Sequence, residues 1–460
     1  MIDSIKTKIL FINAINPCIE VEQRYPNLGL AYLSSSLRKK FGANFFDFKI
    51  IDRNIEKEIV DFVPDLVGIS SVSQNFNLAK KYAKFYKKRR IPVLVGGTHI
   101  TMVPESLSED MDAGCIGEGE ETIVELIDLF LRKKSFPKEK LKKIKGICYI
   151  EDGKVFLTQS RDLIKNLDQI PFPARDLLKI DRHSYIFSSR GCPYRCVFCA
   201  SSRFWDKVRF FSAEYILKEI KELVEKYNVN LISFFDDLFI IDKQRIEKLV
   251  FLLKKENFYG KTKFTCSCRA NLVNDDVVKL LKEMGVVSVG MGLESGCERI
   301  LSYLKGKTVT IKDNINAIKT LKKYGIAANA SFIIGSPDET KEEMLETYNF
   351  IKNNALNLVD IYTLTPLPGT PVWEFAEKRG LVSKNMDWDL LNINFGQNPQ
   401  KAIVLSEVLN REEIWNIYKK FQRQRLIRNL KNIWRHAYAQ DVLKVALRIS
   451  LQKINNFLKK

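Results

Sequence analysis

Two series of short apolar runs, each run followed by a stretch with helical spacing, constrain this chain more than any other feature. The first extends from Lys8 to about Arg132 and contains "KILFINAI", "LGLAYLSSSLRKKFG", "FFDFKIID", "PDLVGISSV", the lysine-rich "NLAKKYAKFYKKRR" and "IPVLVGG". Continuous apolar strands alternating with amphipathic helices predict a parallel sheet covered on both faces, a doubly wound, Rossmann-like α/β domain. Ligands of such sheets bind beyond the carboxyl ends of the strands, here the loops 13–27, 70–75 and 96–104. The second series starts near Tyr185 and holds six runs, "YIFSS", "LISFF", "KFTCSC", "VVSVGMGL", "AANASFIIG" and "LVDIYTLTP", with helical stretches such as "SAEYILKEIKELVEKY" between them. Six such units predict a full or partial (β/α) barrel with its working residues at the C-terminal ends of the strands.

Between the two series a basic run and the hairpin signal Asp152-Gly153 read as a connector. The expected boundaries are 1–132 for the doubly wound domain, 133–180 for the connector, 181–385 for the barrel and 386–460 for a basic helical C-terminal region. A length of 460 residues exceeds what one core serves, which agrees with several domains. The N-terminal "MIDSIKTKILFINAINP" lacks the apolar core and cleavage site of a signal peptide, and no apolar run reaches the ~18 residues of a span. The reading is a cytoplasmic protein. Six of the nine cysteines, Cys18, Cys115, Cys148, Cys266, Cys268 and Cys297, follow no framework spacing, which suits a reducing compartment.

The other three, Cys192, Cys196 and Cys199, crowd into "SSRGCPYRCVFCASS" as C-x3-C-x2-C. Zinc would need a fourth ligand, and of the three histidines, His99, His183 and His436, only His183 is near in sequence. An iron–sulfur cluster is the second reading. Thiolates are the usual ligands of its irons, and three of them on a four-iron cluster leave one iron open to a substrate or cofactor.

The segment resembles the signature of the radical S-adenosylmethionine (radical SAM) superfamily. The trio directly follows the first barrel strand, and an aromatic residue, Phe198, precedes the last cysteine. The resemblance implies a [4Fe–4S] cluster on these cysteines, its open iron chelated by the amino and carboxylate groups of S-adenosylmethionine (SAM). Reduction then releases a 5′-deoxyadenosyl radical that abstracts hydrogen from substrate. It further implies SAM contacts at the later strand ends: Asp236 and Asp237 in "FFDDLF" at the amino group, and Arg269 at the carboxylate. Glu294 in "GLESG" would meet the ribose or amino group, with Gly296 permitting close approach, and Gly335 in "FIIGSPDET" would lie near the adenine.

The first series resembles the cobalamin-binding domain fused ahead of many radical SAM barrels, through "YPNLGLAYLSSSL", "GISSVSQN", "VGGTHITMVPE" and "GEGEET". Small residues at strand ends, Ser70, Ser71, Gly96 and Gly97, are expected to let a flat macrocycle and its tail approach the backbone. The D-x-H-x-x-G pattern that supplies a cobalt ligand is absent, because "NAINPCIEVEQRYPNLG" holds no histidine. Tyr25 to Leu28 are therefore expected to cover that face of the ring, and His99 to act structurally or at the tail. An ordinary doubly wound domain without cobalamin is the plainer reading.

Relatives of this kind methylate unactivated carbon, join carbons, close rings or rearrange skeletons. Cobalamin-dependent methylation of a small-molecule or lipid-like substrate is expected here, with flavodoxin or ferredoxin as reductant. A net charge of +19 would also allow an RNA partner. Methylthiolating relatives that act on tRNA carry a second N-terminal cysteine trio, however, where this chain has only Cys18 and Cys115, so nucleic acid is not expected. Residues 401–460 hold 14 Lys and Arg against 4 Asp and Glu. Leu447, Leu451, Ile454 and Leu458 recur at helical spacing among Lys444, Arg448, Lys453 and Lys459, and Trp415, Tyr418, Trp434 and Tyr438 suit a headgroup boundary. These features point to peripheral contact with the inner face of the membrane. Packing of the same helices on the barrel is the plainer alternative.

Overall fold

The computed structural model describes residues 6–15, 27–52, 61–391 and 399–432. They fall into two units, 1–180 with 383–389, and 181–382 with 390–460.

In the first unit, β1 (Thr7–Ala14), β2 (Phe46–Ile51), β3 (Leu66–Ser71), β4 (Val93–Gly96) and β5 (Ala113–Cys115) form a parallel sheet in the order 2-1-3-4-5. Ile9, Leu10, Ile12, Leu66 and Val67 are wholly buried, as strands covered on both faces require. Helix Leu28–Phe41 begins where the Asn27 side chain accepts from the Leu30 N–H at 3.0 Å, and the Asn27 amide donates to Asn13 Oδ1 at 2.9 Å. That bond ties the helix start to the carboxyl end of β1. The strand order reverses between β1 and β3, and ligands of open sheets bind beside such a reversal.

The segment 133–180, expected as a connector, belongs to this unit. β6 (Ile147–Glu151) and β7 (Lys154–Leu157) extend the sheet antiparallel from β5, around a turn in which Asp152 and Gly153 both have positive φ. Farther on, Arg38 grips Asp176 through bonds of 2.8 and 2.9 Å, and the Ala174 N–H donates to the Ala31 carbonyl at 3.1 Å.

In the second unit, β8 (His183–Ile186) leads into β9 (Ser189–Arg190) and β10 (Arg209–Phe210), a short antiparallel ribbon that brackets the cysteine loop. β11 (Leu231–Phe234), β12 (Lys263–Cys268), β13 (Val286–Glu294), β14 (Ala327–Ile334) and β15 (Val359–Thr363) join β8 in one parallel sheet in chain order. This is a partial barrel, with helices such as Ala213–Tyr227, capped by the Ser212 side chain, on the connections.

Helix Arg411–Asn432 also belongs to the second unit, so the region expected as separate is in this part a piece of the barrel. It buries Ile414, Ile417, Tyr418 and Phe421 and covers the open edge of β15. Asn429 accepts from the Val359 N–H at 3.0 Å and donates to its carbonyl at 3.1 Å, while Arg425 bonds Asp360 at 2.9 Å. Tyr418, expected at a headgroup boundary, is buried instead, with Trp415 stacked on it. Trp434, Tyr438 and the basic helix expected over 443–459 lie outside the described residues. Among the described residues no helix is long and apolar enough to cross a membrane.

Candidate active site

The cysteine loop leaves the barrel at Ser188 and Ser189, and Asp236, just beyond β11, holds that departure. Its carboxylate accepts from the Ser188 N–H at 2.6 Å, from the Ser189 N–H at 3.1 Å and from the Ser188 hydroxyl. Arg245 faces it at 4.0 Å and donates to the Ser188 carbonyl. Burial pushes the Asp236 carboxyl up and the Arg245 guanidinium down, and their mutual attraction opposes both shifts. Asp236, expected at the SAM amino group, thus directs its oxygens to the chain that carries the cysteines. Asp237 is the exposed member of the pair. It accepts from the Ser201 hydroxyl at 2.5 Å, and its charge helps to raise the Cys192 and Cys199 thiols.

Cys196 is buried, Cys192 and Cys199 are half-buried, and all three are free thiols. Burial is the main cause that pushes Cys199 up to about 11 and Cys192 above its ordinary value, and both also feel Cys196. The three sulfurs therefore share one field. Among the described residues, no three His, Cys, Asp or Glu side chains gather as they would around a single ion. Half-buried Phe198 follows Val197, whose N–H donates to the Leu304 carbonyl at 3.0 Å. His183, the nearby zinc-ligand candidate, opens β8 at the end away from the loop and pairs with Ser233 Oγ at 2.8 Å.

Arg269, at the end of β12, is buried. Its Nη1 lies 3.4 Å from Cys196 Sγ, its guanidinium sits 3.9 Å over the Tyr194 ring, and its Nη2 donates to the Lys305 carbonyl and Thr308 Oγ1 at 3.2 and 2.8 Å. Its Nε is buried without a partner. Glu294 ends β13 at a register shift with φ of +62°, a left-handed conformation that costs a non-glycine residue and re-aims the side chain. Any side chain on Gly292 would run into its carboxylate. Burial raises the Glu294 carboxyl, and Lys305, 3.6 Å away, lowers it.

Gly296 has another role than the one expected. A Cβ there would fall 2.5 Å from Phe350 Cβ and 2.8 Å from Thr347 Cα, so helix Lys341–Asn353 requires the glycine. Gly335 has φ of +85° and open space on its Cβ side. Its N–H and that of Ser336 donate to Glu339 Oε2 at 2.8 and 3.0 Å. Glu339, which sequence reasoning passed over, is fully buried and pushed up to about 7 by that burial. Its Oε1 and the Ser336 hydroxyl are buried without partners. The signal was present: two N–H groups after a strand-ending glycine need an acceptor, and "GSPDET" offers one.

In the first unit, Gly97 has φ of +98°, and a Cβ there would lie 2.6 Å from the Ser71 carbonyl oxygen. The fold itself fills the space that Gly97 was expected to leave for a ligand. Among the described residues, Gly96 meets only Cys115, at 3.8 Å, and Gly117, beyond β5, meets nothing within 4 Å. Ser70 is half-buried, and buried Ser71 donates to the Val72 carbonyl. Leu28 is 1% exposed, turned into the protein, and Tyr25 lies outside the described residues.

His99 is fully buried between Ser73, 3.0 Å from Nδ1, and Ser106, 2.8 Å from Nε2. The Ser106 hydroxyl donates to the Val103 carbonyl, so it accepts from Nε2–H, and Nδ1 accepts from Ser73. Neither nitrogen is left for a ligand. Burial, assisted by Lys80, pushes His99 down to about 3, below its unfolded value of 6.5. Because the unfolded chain takes the proton first, stability is intact above pH 6.5 and falls as the pH drops toward 3. Wild type is expected to lose about 2 kcal/mol between pH 8 and pH 5 that His99→Asn does not lose. Urea unfolding followed by tryptophan fluorescence checks this, and equal pH dependence in both proteins would refute it.

The profile of the radical SAM superfamily matches residues 186–351, and that of the B12 binding domain matches residues 17–127. An uncharacterized methyltransferase of Pyrococcus horikoshii is 38% identical over 384 residues, 79% of this chain and 81% of its own length. The anaerobic magnesium-protoporphyrin IX monomethyl ester cyclase of Cereibacter sphaeroides is 25% identical over 435 residues, 89% of this chain and 69% of its own. Among solved structures, the cobalamin-dependent S-adenosylmethionine radical enzyme OxsB, with aqua-cobalamin and S-adenosylmethionine bound, shares the fold at a TM-score of 0.69 and 19% identity, over 97% of this chain and 75% of that one. With a C-x3-C-x2-C loop at the head of a partial barrel and a doubly wound unit before it, the chain belongs to the radical SAM superfamily, among the members that carry a B12-binding domain.

Proposed function

We propose that this protein is a radical SAM enzyme that methylates an unactivated carbon, with cobalamin as methyl carrier. One observation carries the reading: Arg269 leans on Cys196 and keeps a buried, unpartnered Nε–H, a donor that a carboxylate would complete. Cys192, Cys196 and Cys199 would hold a [4Fe–4S] cluster, because thiols that feel one another's charge in one loop suit a group whose irons take thiolate ligands. When bound, the cluster supplies the electron that cleaves a carbon–sulfur bond of SAM. Arg269 orients the SAM carboxylate, Glu294 offers an acceptor at the end of β13, and the open side of Gly335 leaves room for the adenine. Exposed Arg195 and Lys207 on the cysteine loop suit an acidic one-electron carrier of the flavodoxin or ferredoxin class.

In the first unit, the open sides of Gly96 and Gly117 beyond β4 and β5 fit a flat ligand, and cobalamin would sit there without a histidine from His99. Methyl transfer is supported by the Pyrococcus relative, a methyltransferase. Ring closure is the second reading, supported by the Cereibacter cyclase. The substrate is a small molecule. Gly117→Ala and Gly117→Trp test the cobalamin site, since both carry the strain of φ +77° but only tryptophan fills the space. Wild type and the alanine variant are expected to bind hydroxocobalamin with a base-off spectrum, and the tryptophan variant at least roughly tenfold more weakly. Equal binding by the tryptophan variant would displace the site, and no binding by wild type at micromolar concentration would end the methylcobalamin route.

A further inference from the structure

Resting on the reading of Arg269 and Glu294 as SAM contacts, we propose that Lys305 is the positioning residue that holds both at the mouth of the barrel. Lys305 is the last residue of helix Glu298–Lys305, where a cation is favoured by the helix carbonyls but is ordinarily solvated. Here its side chain is only 6% exposed.

Its ammonium donates to the Gly292 carbonyl and stands 3.6 Å from the Glu294 carboxylate, which is itself 7% exposed. The two anchors bracket the irregular step of β13 at which Glu294 takes its left-handed backbone. That conformation persists only where its surroundings over-determine it, and Lys305 supplies the restraint from the carboxylate side. At the same residue, the backbone carbonyl accepts from Arg269 Nη2 at 3.2 Å, while Nη1 of the same guanidinium reaches Cys196. One residue thus sets the carboxylate through its side chain and the guanidinium through its main chain.

The charges support the assignment. Lys305 stands nearest the Glu294 carboxylate, which also feels Arg269, so among the described residues the Nε–H of Arg269 is left for another acceptor. A ligand carboxylate supplies that acceptor. Without Lys305, Glu294 loses its nearer counter-charge, and burial, which already raises its carboxyl, disfavours the anion the site is arranged for.

The test uses anaerobically reconstituted protein with Lys305→Met and Lys305→Arg, reading iron content and SAM affinity by equilibrium dialysis. Lys305→Met is expected to keep its iron and to bind SAM roughly ten- to a hundredfold more weakly. Lys305→Arg, which keeps a donor for both Gly292 and Glu294, should restore binding to within about threefold of wild type. SAM binding by Lys305→Met at the wild-type level, or loss of iron from both variants, would overturn the inference. Wild-type protein that holds iron but no SAM would instead defeat the reading on which it rests.

Discussion

Alanine at any one of Cys192, Cys196 and Cys199 is expected to abolish SAM cleavage, by roughly a thousandfold or more, since groups that act as a unit fail together. Two remaining thiolates cannot fix a four-iron cluster with a single iron left open. The loop does not favour thiolates by itself, because burial pushes Cys199 up to about 11 and raises Cys192. Iron must therefore displace protons as it binds, and loading should improve with rising pH. Iron and sulfide per chain, with release of 5′-deoxyadenosine on reduction, check both statements. A single alanine variant with undiminished cleavage would remove that cysteine from the site.

The second large effect is expected at a residue whose carboxylate oxygens accept from the protein's own chain. Asp236→Ala leaves Arg245 buried without its counter-charge and strips acceptors from two N–H groups and one hydroxyl. The expected destabilisation is about 4 kcal/mol. The cysteine loop, whose first residues those bonds hold, should lose iron at the same time. Asp236→Asn keeps one acceptor and should fall between the two. Chemical unfolding and iron content of the three proteins measure this. A loss under about 1 kcal/mol with normal iron would return Asp236 to the ligand contact expected from the sequence.

Much of the architecture was legible because each barrel strand is a separate apolar run with a turn or a cap after it. All six runs expected for the barrel overlap a strand of its sheet, and "KFTCSC" coincides with β12. β5 escaped notice because Ala113–Cys115 is three residues long and has no periodicity to detect. The connector joined the first unit through pairings such as Gly114 with Cys148, and local patterns do not encode such pairings. Within the candidate site, the cysteines and Arg269 stand out in the sequence by their spacing and strand-end position, and the structure sets Arg269 beside Cys196. The site was misread wherever one residue type serves two purposes. Consecutive aspartates do not announce which faces inward, and Asp236 does. Glycines at Gly97 and Gly296 mark close approach of the chain to itself, which spacing in the sequence does not distinguish from approach to a ligand. Lys305 passed unnoticed because a lysine that ends a helix reads as solvated, and only the partial barrel shows it buried.

The account stands most directly on the composition and reactivity of the full-length protein after anaerobic reconstitution with iron and sulfide. It requires about four irons and four sulfides per chain and, on reduction in the presence of SAM, release of 5′-deoxyadenosine. Zinc at full occupancy, with no iron–sulfur absorbance and no release of 5′-deoxyadenosine, would contradict it.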